Sequence, residues 1–194
     1  LTMGEVLKEI NIQSGGKAAI VSDVGQHQMI ACRYAEFTQS RGNITSGGLG
    51  TMGFALPAAI GAKMACPGRE VVAVIGDGGY QMTIQELGTI FQTKAAVKIV
   101  VLNNEFLGMV RQWQQLFFDK RYASTEMTNP DFVTIAKGYH IEAKRVTKRE
   151  DLAAAIEDMM RSKAAYFLEV CVEKEDNVFP MIPSGVSVSE IRLE

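Results

Sequence analysis

The stretch that decides the fold runs from Val71 to Asn104 and reads VVAVIGDGGYQMTIQELGTIFQTKAAVKIVVLNN. Two short runs rich in Val and Ile, at 71–75 and 99–102, flank a segment whose apolar residues have helical spacing. This pattern predicts a βαβ unit whose two strands are parallel and buried on both faces.

Polar residues follow both predicted strands. Gly76-Asp77-Gly78-Gly79 comes after the first strand, and Asn103-Asn104 comes after the second. Because the carboxyl ends of parallel strands open on one edge of the sheet, we expect Asp77 and Asn104 to lie side by side. The glycines allow a close approach of the backbone to a ligand. A carboxylate and an amide oxygen there predict a small divalent cation held over a phosphate group. The alternative for the Gly-Asp-Gly-Gly turn alone is a plain turn with a solvated Asp.

Composition and charge limit the function further. The 194 residues are 47% hydrophobic and 22% charged, which is typical of a soluble globular domain with a proper core. The net charge of −2 and the lack of a Lys/Arg cluster give no indication of nucleic-acid binding. Phosphate binding would therefore rely on backbone amides and a metal. No apolar run approaches the roughly 18 residues of a membrane span, so we expect no membrane contact.

The cysteines indicate the redox environment of the chain, and the N-terminus indicates whether it belongs to a longer protein. Cys32, Cys66 and Cys171 are far apart and show no metal-binding or redox spacing. We expect them to be reduced, buried small hydrophobes in a cytoplasmic protein. The chain starts at Leu1 with neither an initiator Met nor a signal peptide, so we expect it to be a piece of a longer chain.

Strand and helix patterns alternate along the rest of the sequence. Further strands are predicted at 18–21, 140–146 and 166–172, and residues 38–50 are predicted to be a loop. The alternation predicts an α/β fold: a three-layer, doubly wound, mostly parallel sheet of about six strands. We place the domain at residues 1–174 and expect residues 175–194 to form an extended C-terminal arm.

Three local patterns predict helix starts. Thr83-Ile84-Gln85-Glu86 and Thr147-Lys148-Arg149-Glu150 have the spacing of capping boxes. Asn129-Pro130 predicts a capping residue and a first-turn proline, opening a helix that ends at Gly138.

Several motifs together resemble one family. A Gly-Asp-Gly turn followed some two dozen residues later by Asn-Asn is similar to the thiamine diphosphate motif. The flanking stretches are GQHQM at 25–29, SGGLGTMGFALPAAIGA at 46–62 and NNEFLGMVRQWQ at 103–114. Together these resemble the C-terminal cofactor-binding domain of the acetolactate synthase (acetohydroxyacid synthase) catalytic, or large, subunit. The resemblance covers nearly the whole chain, including the arm at 178–183, and implies the thiamine diphosphate-binding fold.

The resemblance implies particular ligands. A Mg²⁺ ion would be bound by Asp77, Asn104 and the backbone carbonyl of Phe106. The implied cofactor-binding positions are Gly25, Gln26, His27, Gly50, Met52, Gly76, Asp77, Gly78, Gly79, Asn104, Gly108 and Met109. Met52 would wedge thiamine diphosphate into a bent shape, and the backbone near Gly50 would face its pyrimidine ring. Met109 and Trp113 would lie near the reacting carbon, and the Trp would shape the pocket for the second substrate.

The resemblance also implies a larger enzyme. The parent would decarboxylate pyruvate and condense it with a second 2-oxo acid, pyruvate or 2-oxobutyrate, in branched-chain amino acid biosynthesis. It would be a homodimer of catalytic subunits with FAD in its middle domain, and a regulatory small subunit is a candidate partner. The Glu that starts the reaction would lie in an N-terminal pyrimidine-binding domain of the partner subunit. Both of those domains are absent here, so we expect no catalytic residue in this chain and no activity from it alone.

Other interpretations remain open at this point. His27 could be an ordinary surface-turn histidine, Met52 and Met109 could fill the core, and Trp113 could be a core or interface residue. The parent could be another thiamine diphosphate-dependent carboligase or decarboxylase, such as a glyoxylate carboligase. The chain could also be a non-catalytic cofactor-binding module. A dinucleotide-binding domain is disfavoured because the required G-x-G-x-x-G context is missing.

Overall fold

The computed structural model describes residues 1–193, and these form one six-stranded sheet. The strands are β1 Ala19–Ser22, β2 Asn43–Ile44, β3 Val71–Gly76, β4 Lys98–Asn103, β5 Glu142–Val146 and β6 Tyr166–Cys171. Their order across the sheet is β2-β1-β3-β4-β6-β5, and every neighbouring pair is parallel. The predicted α/β fold is confirmed. The short β2 lies inside the segment predicted to be a loop.

Helices cover both faces of the sheet. They are α1 Met3–Ser14, α2 Gln26–Tyr34, α3 Ala55–Ala65, α4 Asp77–Met82, α5 Leu87–Thr93, α6 Gly108–Phe117, α7 Phe132–Gly138 and α8 Leu152–Arg161. Val72 and Val74 of β3 face a core built with α1, α2 and α8. Ala73 and Ile75 face the other core, with α3, α4, α5 and α7. The alternation of side chains along each buried strand thus produces three layers.

Strand register brings the predicted site residues together. Gly76 at the end of β3 is opposite Leu102 in β4, so Asp77 and Asn104 follow neighbouring strands at the same edge. After β1 the chain turns outward to β2 and then returns to place β3 on the other side of β1. Ligands bind in doubly wound folds at such a reversal of strand order. The fold therefore places a crevice where β1, β3 and β4 end.

The capping box predicted at Thr83 is wrong. The helix of this βαβ unit starts at once after β3, with Asp77 as the first residue of α4. Thr83 has φ −133° and ψ 22°, not the extended conformation that a capping residue needs, and its side chain caps no helix. Its hydroxyl instead donates a hydrogen bond to the Gly53 carbonyl at 3.0 Å.

The other two predicted helices form, but their predicted capping residues are wrong. Lys148, not Thr147, precedes the turn before α8, and no side chain caps that turn. The cap of α7 is Asp131, whose carboxylate accepts a hydrogen bond from the Thr134 N–H at 3.3 Å. This leaves the Asn129 side chain available for a different contact.

Two smaller predictions need correction. Cys32 and Cys66 are exposed and Cys171 is half-buried, so the cysteines are not core residues, although all are free thiols within residues 1–193. β5 starts at Glu142 rather than at His140, because His140 has a φ of 58°, which no strand residue adopts. Within the same residues, no helix has the length and apolar character needed to cross a membrane.

The C-terminal arm packs on α6 and α2. Val178 is buried, and its N–H and C=O are both hydrogen-bonded to the side chain of Gln112, at 2.9 and 3.3 Å. Arg33 of α2 donates a hydrogen bond to the Phe179 carbonyl. The domain boundary at residue 174 stays a prediction.

Candidate functional site

A cleft opens at the sheet edge where β1, β3 and β4 end, with a volume of about 180 Å³. Every residue predicted to bind the cofactor lines this cleft except Gly50. Phe106, the third predicted metal ligand, lines it as well. The structure therefore gathers residues from four separate stretches of the chain, 25–27, 52, 76–79 and 104–109, into one concave site.

Three helices begin at this cleft: α2 at Gln26, α4 at Asp77 and α6 at Gly108. The backbone N–H groups of a first helical turn have no partner within the helix, and they carry partial positive charge. Neither Lys nor Arg is among the residues that line the cleft. The site is thus arranged to bind an anion such as a phosphate through backbone N–H groups.

Asp77 supplies a carboxylate to the lining of the cleft, and this residue is only 1% exposed. Burial raises its pKa, against hydrogen bonds from Asn129 and from the N–H groups of Gly78 and Glu105, which lower it. Within residues 1–193 no Lys or Arg forms an ion pair with Asp77. A buried carboxylate whose only partners are neutral donors is costly unless a cation joins it. Asp77 therefore fits a metal ligand.

The loop after β4 presents two further oxygens. Phe106 pairs in antiparallel fashion with Glu126, and the residues flanking Phe106 hydrogen-bond to those flanking Glu126 at 2.8 Å. In such a pair the N–H and C=O of the central residue point away from the partner. The Phe106 N–H accordingly donates to Oδ1 of Asn104 at 3.3 Å. The Phe106 carbonyl thus lies on the same side as the Asn104 amide.

The donor set fits Mg²⁺ with a bound phosphate. It consists of one carboxylate, one amide oxygen and one backbone carbonyl, which are the hard oxygen ligands that Mg²⁺ prefers. In the part of the chain that the structure describes, no cluster of three or more His, Cys, Asp or Glu side chains could hold a metal alone. An ion in this cleft would therefore complete its coordination with phosphate oxygens or water, as Mg²⁺ commonly does.

Asp23 is a site residue that the sequence reasoning missed. It follows β1, is fully buried, and places Oδ1 at 2.5 Å from Nε2 of His27. Its Oδ2 accepts a hydrogen bond from the Gly53 N–H at 2.8 Å. A Cβ added at Gly79 would lie 1.9 Å from the same oxygen. One carboxylate therefore lies beside three chain segments at once, at His27, Gly53 and Gly79. The only sequence signal was its position at the end of a buried strand.

His27 is not a surface-turn histidine, because it is 5% exposed. Asp23 holds Nε2, and a Cβ added at Gly76 would meet Nδ1 at 3.0 Å. Met52 and Met109 line the cleft and are half-buried, so neither fills the core. His27, Met52 and Met109 thus line the cleft rather than fill the hydrophobic core.

Two predicted residues lie elsewhere. Gly50 is exposed and has a left-handed φ of 56°. Trp113 is 38% exposed on α6, where its ring packs against Phe117 at a centroid distance of 4.7 Å. α6 buries its polar residues Arg111 and Gln112 and turns Trp113 outward. Trp113 does not line the cleft and is not a core residue.

Comparison with known proteins identifies the class. Residues 23–170 match the family model of the thiamine pyrophosphate enzyme, C-terminal TPP binding domain, and the chain belongs to this family. Among individual proteins, it is similar to the acetolactate synthase isozyme 2 large subunit of Escherichia coli K12, with 44% identity over 187 residues. That match covers 96% of this chain and 34% of the relative. The resemblance predicted from the motifs is confirmed.

Two further relatives support the class. The mitochondrial acetolactate synthase of Schizosaccharomyces pombe is 44% identical over 192 residues, covering 97% of this chain and 29% of the relative. Among solved structures, the thiamine diphosphate-dependent 4-hydroxybenzoylformate decarboxylase of Rhodococcus jostii RHA1 superposes with a TM-score of 0.83 at 25% identity. That superposition covers 91% of this chain and 33% of the other. The chain thus spans about a third of the length of these proteins.

Proposed function

We propose that this chain binds the diphosphate of thiamine diphosphate through Mg²⁺, as the C-terminal cofactor domain of an acetolactate synthase. The observation that carries the proposal is Asp77, a buried carboxylate without a cationic partner in residues 1–193, in a cleft where three helices begin. A cation and a diphosphate would satisfy both features at once.

Each part of the cleft has a separate task in this proposal. Asp77, the Asn104 amide and the Phe106 carbonyl hold the metal. Backbone N–H groups at 25–27 and 78–79 bind the diphosphate oxygens, and His27, fixed by its contact with Asp23, adds a side-chain contact. Met52 and Met109 give the cleft its apolar surface. Bound thiamine diphosphate supplies the carbanion chemistry that releases carbon dioxide from a 2-oxo acid, and the protein positions it.

We extend the proposal to a longer parent protein, since the chain covers only about a third of its relatives. The parent decarboxylates pyruvate and joins it to pyruvate or 2-oxobutyrate, in branched-chain amino acid biosynthesis. The names of the relatives, acetolactate synthases, support this reaction, and the term "large subunit" supports a small-subunit partner. The homodimer, an FAD bound mainly outside this chain and a cytoplasmic location are parts of the same proposal. The chain alone is expected to be inactive.

A second candidate is another thiamine diphosphate-dependent decarboxylase or carboligase. The observation in its favour is the close superposition on a decarboxylase of 4-hydroxybenzoylformate, with a TM-score of 0.83. Product analysis of the full-length parent with pyruvate, 2-oxobutyrate, glyoxylate and 4-hydroxybenzoylformate separates the candidates. Acetolactate from pyruvate supports the first. Turnover of either of the last two substrates, without acetolactate, supports the second.

The cofactor proposal is tested by calorimetric titration of the 194-residue chain with thiamine diphosphate, in Mg²⁺ and in EDTA. We expect binding heat in Mg²⁺ that EDTA removes. Asp77→Ala should abolish the Mg²⁺-dependent heat, because the only carboxylate among the proposed ligands is lost. Asp151→Ala, at an exposed Asp in the turn before α8, is the matched control and should bind as the unaltered chain does. Equal heats with and without Mg²⁺ would refute the metal site.

A further inference from the structure

A segment between α6 and α7 supports the loop that follows β4. Residues 125–129, here called the support segment, run antiparallel to residues 105–107. The Leu107 N–H donates to the Thr125 carbonyl and the Met127 N–H to the Glu105 carbonyl, both at 2.8 Å. Thr125 is only 3% exposed. The backbone around the Phe106 carbonyl is therefore held by a segment some twenty residues farther along the chain.

Asn129, the last residue of the support segment, contacts residues at the ends of both β3 and β4. Its Nδ2 donates to Oδ2 of Asp77 at 2.7 Å and to Oδ1 of Asn103 at 3.0 Å. Its Oδ1 accepts a hydrogen bond from Gln81 at 2.9 Å. The two N–H bonds of one amide group thus point to the two strand ends that carry the proposed metal ligands. No other side-chain nitrogen in residues 1–193 bridges these two strand ends in this way.

Asn103, the second partner of Asn129, is itself fixed. Its Oδ1 also accepts the Glu105 N–H at 3.1 Å, and Glu105 has a left-handed φ of 57°. Its Nδ2 donates to Oε1 of Glu169, a buried carboxylate of β6, at 2.8 Å. Since Asn103 cannot easily rotate, the Asn129 amide is anchored on one side and orients the Asp77 carboxylate on the other.

We infer that Asn129 is a positioning residue that fixes Asp77 relative to the Asn104–Phe106 loop and thereby gives the site a preference for Mg²⁺ over Ca²⁺. This inference rests on the proposed metal site. Mg²⁺ demands near-ideal octahedral geometry with short bonds, whereas Ca²⁺ accepts longer bonds and irregular arrangements. A carboxylate that rotates freely can still bind Ca²⁺ well, but it binds Mg²⁺ poorly. Loss of such outer partners of metal ligands typically lowers metal affinity by about 10–100-fold.

The test measures the affinity of the 194-residue chain for each metal at saturating thiamine diphosphate, by calorimetry. For Asn129→Ala we expect the apparent Kd for Mg²⁺ to rise about tenfold or more and that for Ca²⁺ to rise less than about threefold. Thr128→Ala, at the exposed neighbouring position, is the matched control and should change neither value. Thermal unfolding of each variant in EDTA reports separately on folding.

A second variant keeps the test decisive if Asn129→Ala does not fold. Gln81→Ala removes the donor to Asn129 Oδ1, so the amide is held less firmly, and the ratio of the two Kd values should shift in the same direction by about threefold. Equal losses for Mg²⁺ and Ca²⁺, or no loss in either variant, would overturn the inference while the metal site stands. Failure of the unaltered chain to bind thiamine diphosphate with either metal would instead refute the proposed function, and the inference with it.

Discussion

The turn after β3 and the loop after β4 meet at one cleft, but they are held in shape by different means. The turn at 76–79 passes directly into α4, and its glycines lie against other parts of the protein: a Cβ at Gly78 would meet Leu107 at 2.7 Å, and one at Gly79 would meet Asp23 at 1.9 Å. The loop at 103–107 is held instead by the Asn103 side chain and by the support segment.

The conformations of the turn and of the loop are therefore specified by different parts of the sequence. The turn depends on the absence of side chains at consecutive positions, which is visible in the local sequence. The loop depends on hydrogen bonds with residues that are distant in sequence. Substitutions in the turn should therefore act through steric overlap, whereas substitutions around the loop should act through lost hydrogen bonds. The following experiments test that contrast.

The largest effect is expected for Gly79→Ala. The new methyl group overlaps Oδ2 of Asp23, which cannot move because it accepts the Gly53 N–H while Oδ1 contacts His27. We expect the free energy of unfolding to fall by more than about 4 kcal/mol, or the chain not to fold, as measured by urea denaturation. Gly61→Ala in α3 is the control, since nothing lies within 4 Å of its added Cβ. It should stabilise the helix by up to about 1 kcal/mol. Equal behaviour of the two variants would refute the steric account.

The loop after β4 should respond to Asn103→Ala. This change removes the acceptor of the Glu105 and Asn129 N–H groups and leaves the buried Glu169 with one partner fewer. We expect a loss of about 2 kcal/mol in the free energy of unfolding, from the buried groups left unpaired. Asn43→Ala, at an exposed position of β2, should stay within about 0.5 kcal/mol of the unaltered chain. A loss no larger than that of the control would mean that Asn103 does not hold the loop.

Asp77→Asn should stabilise the metal-free chain. Burial raises the pKa of Asp77 in the folded state, so the folded chain holds this proton more tightly than the unfolded chain does. The contribution of Asp77 to stability is therefore lost as the pH rises from its ordinary pKa through the raised value. Above that window, in EDTA, we expect Asn at this position to raise the free energy of unfolding by on the order of 1 kcal/mol.

The unaltered chain and the Asp77→Asn variant can also be compared at different pH values and with ligand, which checks the same reasoning. The advantage of the Asn variant should shrink as the pH falls through that window, because protonation removes the buried charge from the unaltered chain. Adding Mg²⁺ and thiamine diphosphate should reverse the order of stability, since only the unaltered chain gains from binding. A destabilised Asn variant at neutral pH in EDTA would contradict this reasoning. Urea denaturation at several pH values measures each difference.

The smallest effect is expected for Tyr80→Phe in α4. The Tyr80 ring packs against Phe132 and Phe167 at centroid distances of 5.1 and 5.3 Å. Its buried hydroxyl finds no hydrogen-bond partner in residues 1–193. Removal of that hydroxyl should leave the free energy of unfolding unchanged or raise it by up to about 1 kcal/mol. A clear loss would show that the hydroxyl is paired in solution.

The sequence predicted the parts of the site that local patterns specify. Runs of Val and Ile identified β3 and β4, and their parallel arrangement placed Asp77 beside the loop of Asn104. The Thr-x-x-Glu pattern was less informative because it does not report backbone conformation. It forms a capping box at Thr2, whose φ and ψ are extended, but not at Thr83.

The missed residues share a physical reason. Asp23 and Asn129 act through contacts with residues far away in the chain, to Gly53 and Asp77 respectively. The Asn-Pro pattern at 129–130 was instead interpreted as a helix cap. The role of Trp113 near the substrate stays a prediction; what the sequence could not predict is that α6 buries Arg111 and Gln112 against the arm and leaves Trp113 outside the lining of the cleft. Only the packing of α6 decides which of its faces is buried.

The strand order has a consequence for how the chain folds. Within residues 1–193, β6 is the last strand along the chain, yet it lies between β4 and β5 and is the only strand paired with β5. Until residues 166–171 are in place, β4 presents a row of unpaired backbone N–H and C=O groups between apolar side chains, which is a template for aggregation. β6 also carries Glu169, which anchors Asn103. During synthesis the loop after β4 therefore gains its Glu169 anchor only after β6 has emerged, and a chain that stops before β6 should aggregate.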